Sequence, residues 1–122
     1  MADRIARAYL GTMSFASNWH YQVARFFLFL GNAPRAVEKL RESLRLDSGF
    51  VPAHESLAFL YASSGRQALA IEAFQSALAL APDRAETWFN LGFVHQALGE
   101  QDKAIDAFTR AVALRPSLDR AW

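Results

Sequence analysis

The sequence predicts an all-α fold in which antiparallel helix hairpins follow one another along the chain. The first observation is a fixed period, because glycines recur every 34 residues, at Gly31, Gly65 and Gly99. The second is that the same step relates Phe74 to Phe108. The third is that apolar residues flank each glycine at helical spacing. A period of this length is typical of repeat proteins, in which each unit is one supersecondary element.

Each unit is predicted to be two helices joined at its glycine. In the third unit we expect the first helix over about 85–98 and the second over about 101–114. Glycine at such a junction can adopt the left-handed conformation that ends a helix. Pro82 and Pro116 are expected to stop the second helix of their units, since proline cannot continue the backbone hydrogen bonding.

Helix starts carry their own signals. Pro34 lies in a predicted first turn, where its missing N–H costs little. Asp83 is a candidate N-cap, with Glu86 three residues later in a capping-box pattern. Small residues on facing helices predict that the two helices approach closely. The larger apolar residues beside them predict a core. The predicted core is Val23, Phe27, Val37, Leu40, Leu44, Leu57, Tyr61, Ile71, Phe74, Leu78, Leu91, Ile105, Phe108 and Val112.

The three units share a common pattern of residues. The pattern W-x2-L-G-x2-Y…A-x3-F…P is matched in the third unit, with a histidine in place of tyrosine, by Trp88, Leu91, Gly92, His95, Ala104, Phe108 and Pro116. The second unit has His54, Leu57, Ala58, Tyr61, Ala70, Phe74 and Pro82, and the first has His20, Val23, Ala24, Phe27, Ala36, Leu40 and Ser48. The chain therefore resembles the tetratricopeptide repeat (TPR) family, and this resemblance implies an α-solenoid with a right-handed superhelix.

The resemblance divides the chain into repeats. We expect an N-terminal capping helix over 1–16, a degenerate repeat over 17–50, a second repeat over 51–84 and a third over 85–118. Residues 119–122 are predicted to begin a truncated fourth repeat, because Trp122 follows Trp88 by one period. This pattern favours a fragment of a longer array.

Composition disfavours several classes of function. The 13 basic and 12 acidic side chains give a net charge of +1 and are dispersed, so no nucleic-acid stripe is predicted. No apolar run reaches the ~18–20 residues that a membrane span needs. The N-terminus favours an amphipathic helix over a signal peptide. There is no cysteine, which is compatible with a reducing compartment; a cytoplasmic location is expected, and a periplasmic one stays open. The array is taken to be of a bacterial type.

No catalytic motif is present in the sequence, and the protein is predicted not to be an enzyme. His20 and His54 occupy the same repeat position, which raises the possibility of a metal site. Helix-surface histidines are the simpler interpretation, because no carboxylate accompanies both. No metal or cofactor is predicted.

A groove is the candidate functional site. The TPR resemblance implies that certain positions of each first helix face a concave surface. The predicted peptide-binding residues are Asn18, Tyr21, Arg25, Phe29, Glu55, Phe59, Ser63, Glu86, Phe89, Asn90 and Phe93. Aromatic residues and arginine are typical of binding hot spots. A family clamp for a C-terminal carboxylate is disfavoured, since its positions here are Tyr21, Arg25, Ser56, Glu86 and Asn90.

One stretch, Phe26–Leu30, is apolar without interruption and predicts a helix that needs cover on several sides. Packing of the 1–16 helix on the first repeat is the favoured explanation, with Ile5, Ala8, Tyr9, Thr12 and Met13 at helical spacing. Self-association and a membrane-adjacent surface are the alternatives.

The favoured function is non-catalytic protein–protein interaction, with a peptide or helix of a partner bound in the aromatic groove. Two alternatives remain open at this point. One is a scaffold that self-assembles through the N-terminal apolar helix or an uncapped C-terminal repeat. The other is an accessory region of a larger enzyme whose catalytic part lies beyond residue 122.

Overall fold

The computed structural model describes the backbone of residues 2–115 and the side chains of Arg4 and residues 15–115. These residues form six helices and, within that range, no strand. The helices are α1 (Ala2–Phe29), α2 (Ala33–Leu46), α3 (Val51–Ser63), α4 (Gln67–Leu80), α5 (Ala85–Ala97) and α6 (Gln101–Leu114). The predicted all-α fold of helix hairpins is confirmed, whereas the predicted start of a fourth repeat at 119–122 lies outside the described residues.

The periodic glycines lie where the sequence predicts, in the turns between the two helices of each hairpin. Gly31, Gly65 and Gly99 have φ values of +77°, +81° and +77°. A Cβ at any of the three would meet no atom within 4 Å, so the requirement for glycine comes from the backbone conformation and not from crowding. In each turn the amide after the glycine donates to the carbonyl five residues earlier, which is the Schellman pattern.

The helix starts follow the sequence signals in one case and depart from them in another. At α2, Asn32 is the N-cap, its side chain accepts from the Arg35 amide at 3.2 Å, and proline lies in the first turn as expected. At α5 the predicted N-cap Asp83 is wrong, because the N-cap is Arg84. The carboxylate of Glu86 is engaged by Arg115 at 2.9 Å, so no capping box forms.

The chain divides into two compact units, Met1–Ala53 and His54–Trp122. In the first unit α1 packs along α2, and Ala24, Ala36 and Leu40 are completely buried. Small side chains at the crossing let the two helix backbones approach closely. The bulk of Leu40 then fills the adjacent space, as the sequence predicts.

In the second unit, α5 packs against both α4 and α6. Its core is rich in alanine, and Phe74 is its largest fully buried side chain. Gly92 of α5 lies beneath the ring of Phe108, since an added Cβ would be 2.6 Å from the nearest ring carbon. Glycine at this position therefore permits the close packing of α6 on α5.

The predicted core is largely correct. Leu40, Leu57, Tyr61, Phe74, Leu78 and Leu91 are buried, and Val23, Phe27, Val37, Leu44, Ile71, Phe108 and Val112 are half-buried. Ile105 is wrong, because 60 % of its surface is exposed. The buried face of α6 follows Ala104, Ala107 and Ala111, and Ile105 projects about 100° around the helix from Ala104.

The N-terminal segment is arranged differently from the expectation. Residues 2–16 are helical, but they continue without a break into the rest of α1. They therefore do not form the separate capping helix that was expected, and the predicted packing of Ile5, Ala8, Tyr9, Thr12 and Met13 lies outside the described side chains. Gly11 does not end the helix, because an isolated glycine in a helix interior costs only about 1 kcal/mol. The large side chains at Phe26, Phe29 and Leu30 remain exposed.

A pair of serines joins α1 to α2 inside the first unit. Ser17 and Ser43 are both completely buried, and their hydroxyl oxygens are 2.9 Å apart. Each hydroxyl also lies within hydrogen-bonding distance of the other residue's main-chain carbonyl, at 3.0 and 2.8 Å. We call this arrangement the serine clasp. The positions equivalent to Ser43 in the other two repeats are the alanines Ala77 and Ala111, so the clasp is particular to the first unit.

Replacement of one clasp serine is expected to lower the free energy of unfolding by about 1–2 kcal/mol, because it removes buried hydrogen bonds. The double variant Ser17→Ala/Ser43→Ala is expected to lose less than the sum of the two single losses, since each single change leaves part of the network unpaired. Denaturant unfolding of the four proteins measures this coupling. Ser76→Ala, which removes an exposed serine bonded to the Glu72 carbonyl, is the control. Strictly additive single losses would contradict the clasp.

Candidate functional site

A cavity of about 290 Å³ opens on the second unit. Its lining comes from α3, α4 and α5 and consists of Phe59, Ala62, Gln67, Phe74, Asn90, Phe93, Val94 and Ala97. The methyl side chains of Ala62 and Ala97 leave room between the larger side chains. Three predicted groove residues, Phe59, Asn90 and Phe93, are thus brought together around one cavity, which we call the α3/α5 cavity.

Two phenylalanine side chains of this cavity are exposed to solvent. Phe59 is 61 % exposed and Phe93 is 43 % exposed. Apolar rings beside a concavity lose unfavourable contact with water when a partner covers them. They are therefore the side chains in this cavity with the most apolar surface to bury on binding.

Phe93 is held in place by other aromatic rings. Its ring packs edge-on against Phe89, with centroids 4.8 Å apart, and against Phe108 at 5.3 Å. Phe89 and Phe108 also contact each other at 5.4 Å. Edge-to-face contacts of this kind stabilise a fixed ring orientation. The predicted groove residue Phe89 therefore supports the cavity wall, while Phe93 presents its surface to solvent.

Two side-chain amides add polar character to the cavity. Asn90 is half-buried and contributes both donors and an acceptor. Gln67 opens α4, and its Oε1 atom is buried without a hydrogen-bond partner among the described residues. An unpaired buried acceptor is costly, and this atom is covered by the chain itself. Repeat position did not indicate Gln67, because this residue lies at the start of a second helix, outside the expected groove positions.

The predicted groove carboxylates are already engaged within the chain. Glu55 forms an ion pair with Arg84 at 2.7 Å, and Glu86 forms one with Arg115 at 2.9 Å. The hydroxyl of Ser63 donates to the main-chain carbonyl of Phe59 at 2.9 Å. These three residues of the predicted site have structural partners, and none of them lines the α3/α5 cavity.

The predicted residues of α1 lie in the first unit. Tyr21 is half-buried and packs edge-on against Phe50, with ring centroids 5.4 Å apart. Arg25 is exposed, with its guanidinium 3.5 Å from the side-chain oxygen of Gln22. Asn18 and Phe29 are exposed. Tyr21 therefore helps to stabilise the first unit, whereas the ring of Phe29 is exposed to solvent.

A second cavity of about 640 Å³ lies elsewhere on the second unit, bounded by α4, α5 and the start of α6. Beside it, Glu100 accepts from Lys103 at 2.9 Å, and its other oxygen is 3.4 Å from Nδ1 of the buried His95. The Lys103 hydrogen bond and then the His95 hydrogen bond lower the pKa of Glu100 below its ordinary value. Glu100 therefore stays ionised at neutral pH and bridges the α5–α6 turn.

Neither a metal cluster nor a membrane span is found in the part of the chain that the structure describes. Within it, no three histidine, aspartate or glutamate side chains come together in a way that could hold an ion. None of the helices of residues 2–115 combines the length and the apolar character that crossing a bilayer requires.

Solved structures of several proteins resemble this fold. A crystal structure of MamA aligns with a TM-score of 0.81 and 27 % identity, over 94 % of this chain and 69 % of MamA. The second TPR of Spaghetti (RPAP3), bound to the HSP90 peptide SRMEEVD, has a TM-score of 0.87 and 16 % identity, over 95 % of this chain and 100 % of that one. YrrB, a TPR protein with an unusual peptide-binding site, has a TM-score of 0.76 and 18 % identity, over 82 % of this chain and 52 % of YrrB.

No curated protein matches the sequence. The tetratricopeptide repeat model matches residues 51–117, which is more than half of the chain. Together with the hairpins, the glycine turns and the period of 34 residues, this match shows that the chain belongs to the tetratricopeptide repeat family.

Proposed function

We propose that the protein is a non-catalytic interaction scaffold that binds a largely apolar segment of a partner protein in the α3/α5 cavity. The observation that carries this proposal is the cavity of about 290 Å³ beside the exposed rings of Phe59 and Phe93. Among the similar solved structures, the second TPR of RPAP3 is bound to an HSP90 peptide, and YrrB has an unusual peptide-binding site. Their similarity to this chain supports the choice of a peptide as the ligand class.

The bound segment is expected to insert an apolar side chain between Phe59 and Phe93. The ring of Phe93 is supported from behind by Phe89 and Phe108, so it loses little conformational freedom on binding, and this favours affinity. The side-chain amide of Gln67, which lines the same cavity, would supply one polar contact to the segment. Asn90 would supply a second polar contact that fixes the direction of the segment.

An acidic C-terminal tail such as SRMEEVD is not the ligand that this proposal favours. Clamping of a terminal carboxylate needs several cations or amides at set positions, and here Glu86 places a negative charge at one of them. Arg84 and Arg115 are engaged by Glu55 and Glu86. The α1 residues Asn18, Tyr21, Arg25 and Phe29 stay a prediction from their repeat positions.

The proposal is tested with a random peptide library displayed on phage and selected on the full chain. We expect the enriched sequences to be apolar, and the affinity of a synthetic winner is then measured by fluorescence anisotropy. The double variant Phe59→Ala/Phe93→Ala is expected to weaken its binding by about tenfold or more, because two anchor rings are lost. The peptide SRMEEVD is expected to bind weakly or not at all.

A matched control separates the cavity from apolar surface in general. Leu69→Ala/Ile105→Ala removes two exposed apolar side chains that do not line the cavity. This variant is expected to bind the selected peptide as the unchanged chain does. The proposal would be overturned if the Phe59/Phe93 variant and the control bound the selected peptide with equal affinity, or if the peptide SRMEEVD bound the chain tightly.

A further inference from the structure

A stripe of exposed apolar side chains, interrupted at Gln22, runs along α1 and ends at the residue that follows it. Its members are between 53 and 86 % exposed and are Phe15, Trp19, Phe26, Phe29 and Leu30. They lie on the side of α1 opposite to Ser17 and Ala24, which are buried against α2. The stripe is therefore not required for the packing of the first hairpin, and we call it the α1 stripe.

The spacing of the stripe is that of a helix-pairing seam. Positions 15, 19, 22, 26 and 29 are separated by alternating steps of four and three residues. This alternation is the a/d pattern by which two helices wind around each other. Gln22 is the single polar residue among these five seam positions, and a lone polar residue in such a seam fixes the register of the pair.

The exposed area is large for a free surface. Four of the five members of the stripe are aromatic, and such side chains bury about 150–250 Å² each. Covering the stripe would remove roughly 600 Å² per copy, or about 1,200 Å² for two copies, which reaches the lower range of stable interfaces. A patch of about 600 Å² is at the upper end of what a typical monomer exposes, and patches of this size often mark interaction sites.

The stripe is complementary to itself when two copies run antiparallel about Gln22. Phe15 and Phe29 lie seven residues on either side of Gln22, so each would face the other in the partner copy. Trp19 and Arg25 lie three residues on either side. The Arg25 guanidinium of one copy would therefore approach the Trp19 indole of the other copy, and the two would form a favourable cation–π pair.

Charge does not oppose this pairing. Arg25 is the one lysine, arginine, aspartate or glutamate between residues 15 and 30. In the antiparallel arrangement the two Arg25 side chains lie on opposite sides of the Gln22 pair. An in-register parallel arrangement would bring the two cations to the same level, where they would repel.

We propose that the α1 stripe is a homodimer interface in which two copies of this chain pair antiparallel through residues 15–30, centred on Gln22. This inference goes beyond the proposed peptide binding and does not depend on it. The overlapping seam from 15 to 29 is about 21 Å long. The α3/α5 cavity lies in the other unit of the chain and uses different residues, so the two proposals can fail separately.

Sedimentation equilibrium of the full chain over a wide concentration range tests self-association. We expect a mass that approaches twice 13.6 kDa. Trp19→Glu/Phe26→Glu is expected to shift the dimer dissociation constant upward by about tenfold or more for each lost ring. Circular dichroism is expected to stay unchanged, since both side chains are exposed. Leu69→Glu/Ile105→Glu, which adds the same charge elsewhere, is the control and is expected to dimerise normally.

The orientation can be tested directly because the chain contains no cysteine. Gln22→Cys is expected to form a disulfide-linked dimer on mild oxidation, as the two positions face each other. Phe29→Cys alone is expected to cross-link poorly, whereas a mixture of Phe15→Cys and Phe29→Cys is expected to cross-link efficiently. Efficient self-linking of Phe29→Cys would show a parallel pair and would overturn the antiparallel register.

Two outcomes would overturn the interface itself. One is a chain that remains a monomer at every concentration. The other is a dimer that persists in Trp19→Glu/Phe26→Glu. A monomer that sediments with phosphatidylcholine and phosphatidylglycerol vesicles, and loses this binding in the same variant, would assign the stripe to a lipid surface instead.

Discussion

Phe74→Ala is expected to lower the free energy of unfolding by about 3–5 kcal/mol, because truncation of a buried phenylalanine removes transfer energy and leaves a cavity. Phe74 is 2 % exposed and is the largest of the fully buried side chains in the described part of the chain. The other buried residues of α4 are mostly small, namely Ala70, Ala73 and Ala77. Short side chains of this kind cannot extend to refill the space, so the loss should lie at the upper end of the range.

Phe59→Ala is the matched control for this prediction, because it is the same chemical change at a ring that is mostly exposed. It is expected to cost less than about 1 kcal/mol. Urea unfolding followed by circular dichroism measures both losses. Equal destabilisation by the two variants would contradict the burial that distinguishes them.

The repeat features of the fold could be predicted because each has a local cause. The left-handed backbone at Gly31, Gly65 and Gly99 nearly requires glycine, so the period is visible in the sequence itself. The packing of Phe108 on Gly92 follows a similar rule, since a larger residue at 92 would clash with the ring. The positions of turns and of close helix contacts were accordingly correct.

Features that depend on the whole hairpin were harder to predict. The separate helix expected over 1–16 is continuous with α1. The sequence there contains Gly11 and several small polar residues, which resemble an interruption. The preference of the flanking residues for helix outweighs the cost of one glycine. Sequence spacing alone also could not reveal that Ser17 and Ser43 meet, because that contact depends on how α1 crosses α2.

The candidate site was predicted in part for similar reasons. Helical spacing places Phe59 and Phe93 on exposed faces, and the structure brings both to one cavity. Glu55 and Glu86 were expected in the groove, but ion pairs with Arg84 and Arg115 engage them. Those arginines lie 29 residues away in sequence from their partners, so the pairs depend on tertiary contacts. Gln67 was missed because the groove was expected to involve only the first helix of each repeat.

Leu40→Ala is expected to lower the free energy of unfolding by about 2–5 kcal/mol. Leu40 has no exposed surface and occupies, in the first repeat, the position that phenylalanine holds at 74 and 108. Ala24 and Ala36 are equally buried in the same unit, so truncation of Leu40 would remove the largest apolar side chain of that core. Denaturant unfolding followed by circular dichroism measures the loss.

Leu44→Ala is the control for Leu40→Ala, because it is the same change one helical turn later at a half-buried position. It is expected to cost clearly less, since less apolar surface returns to water. Both measurements should be made in the Trp19→Glu/Phe26→Glu background, because dimer formation would add a concentration-dependent contribution to the apparent stability. If Leu44→Ala lowered the free energy of unfolding as much as Leu40→Ala, burial against α1 would not explain which leucine of α2 stabilises the hairpin.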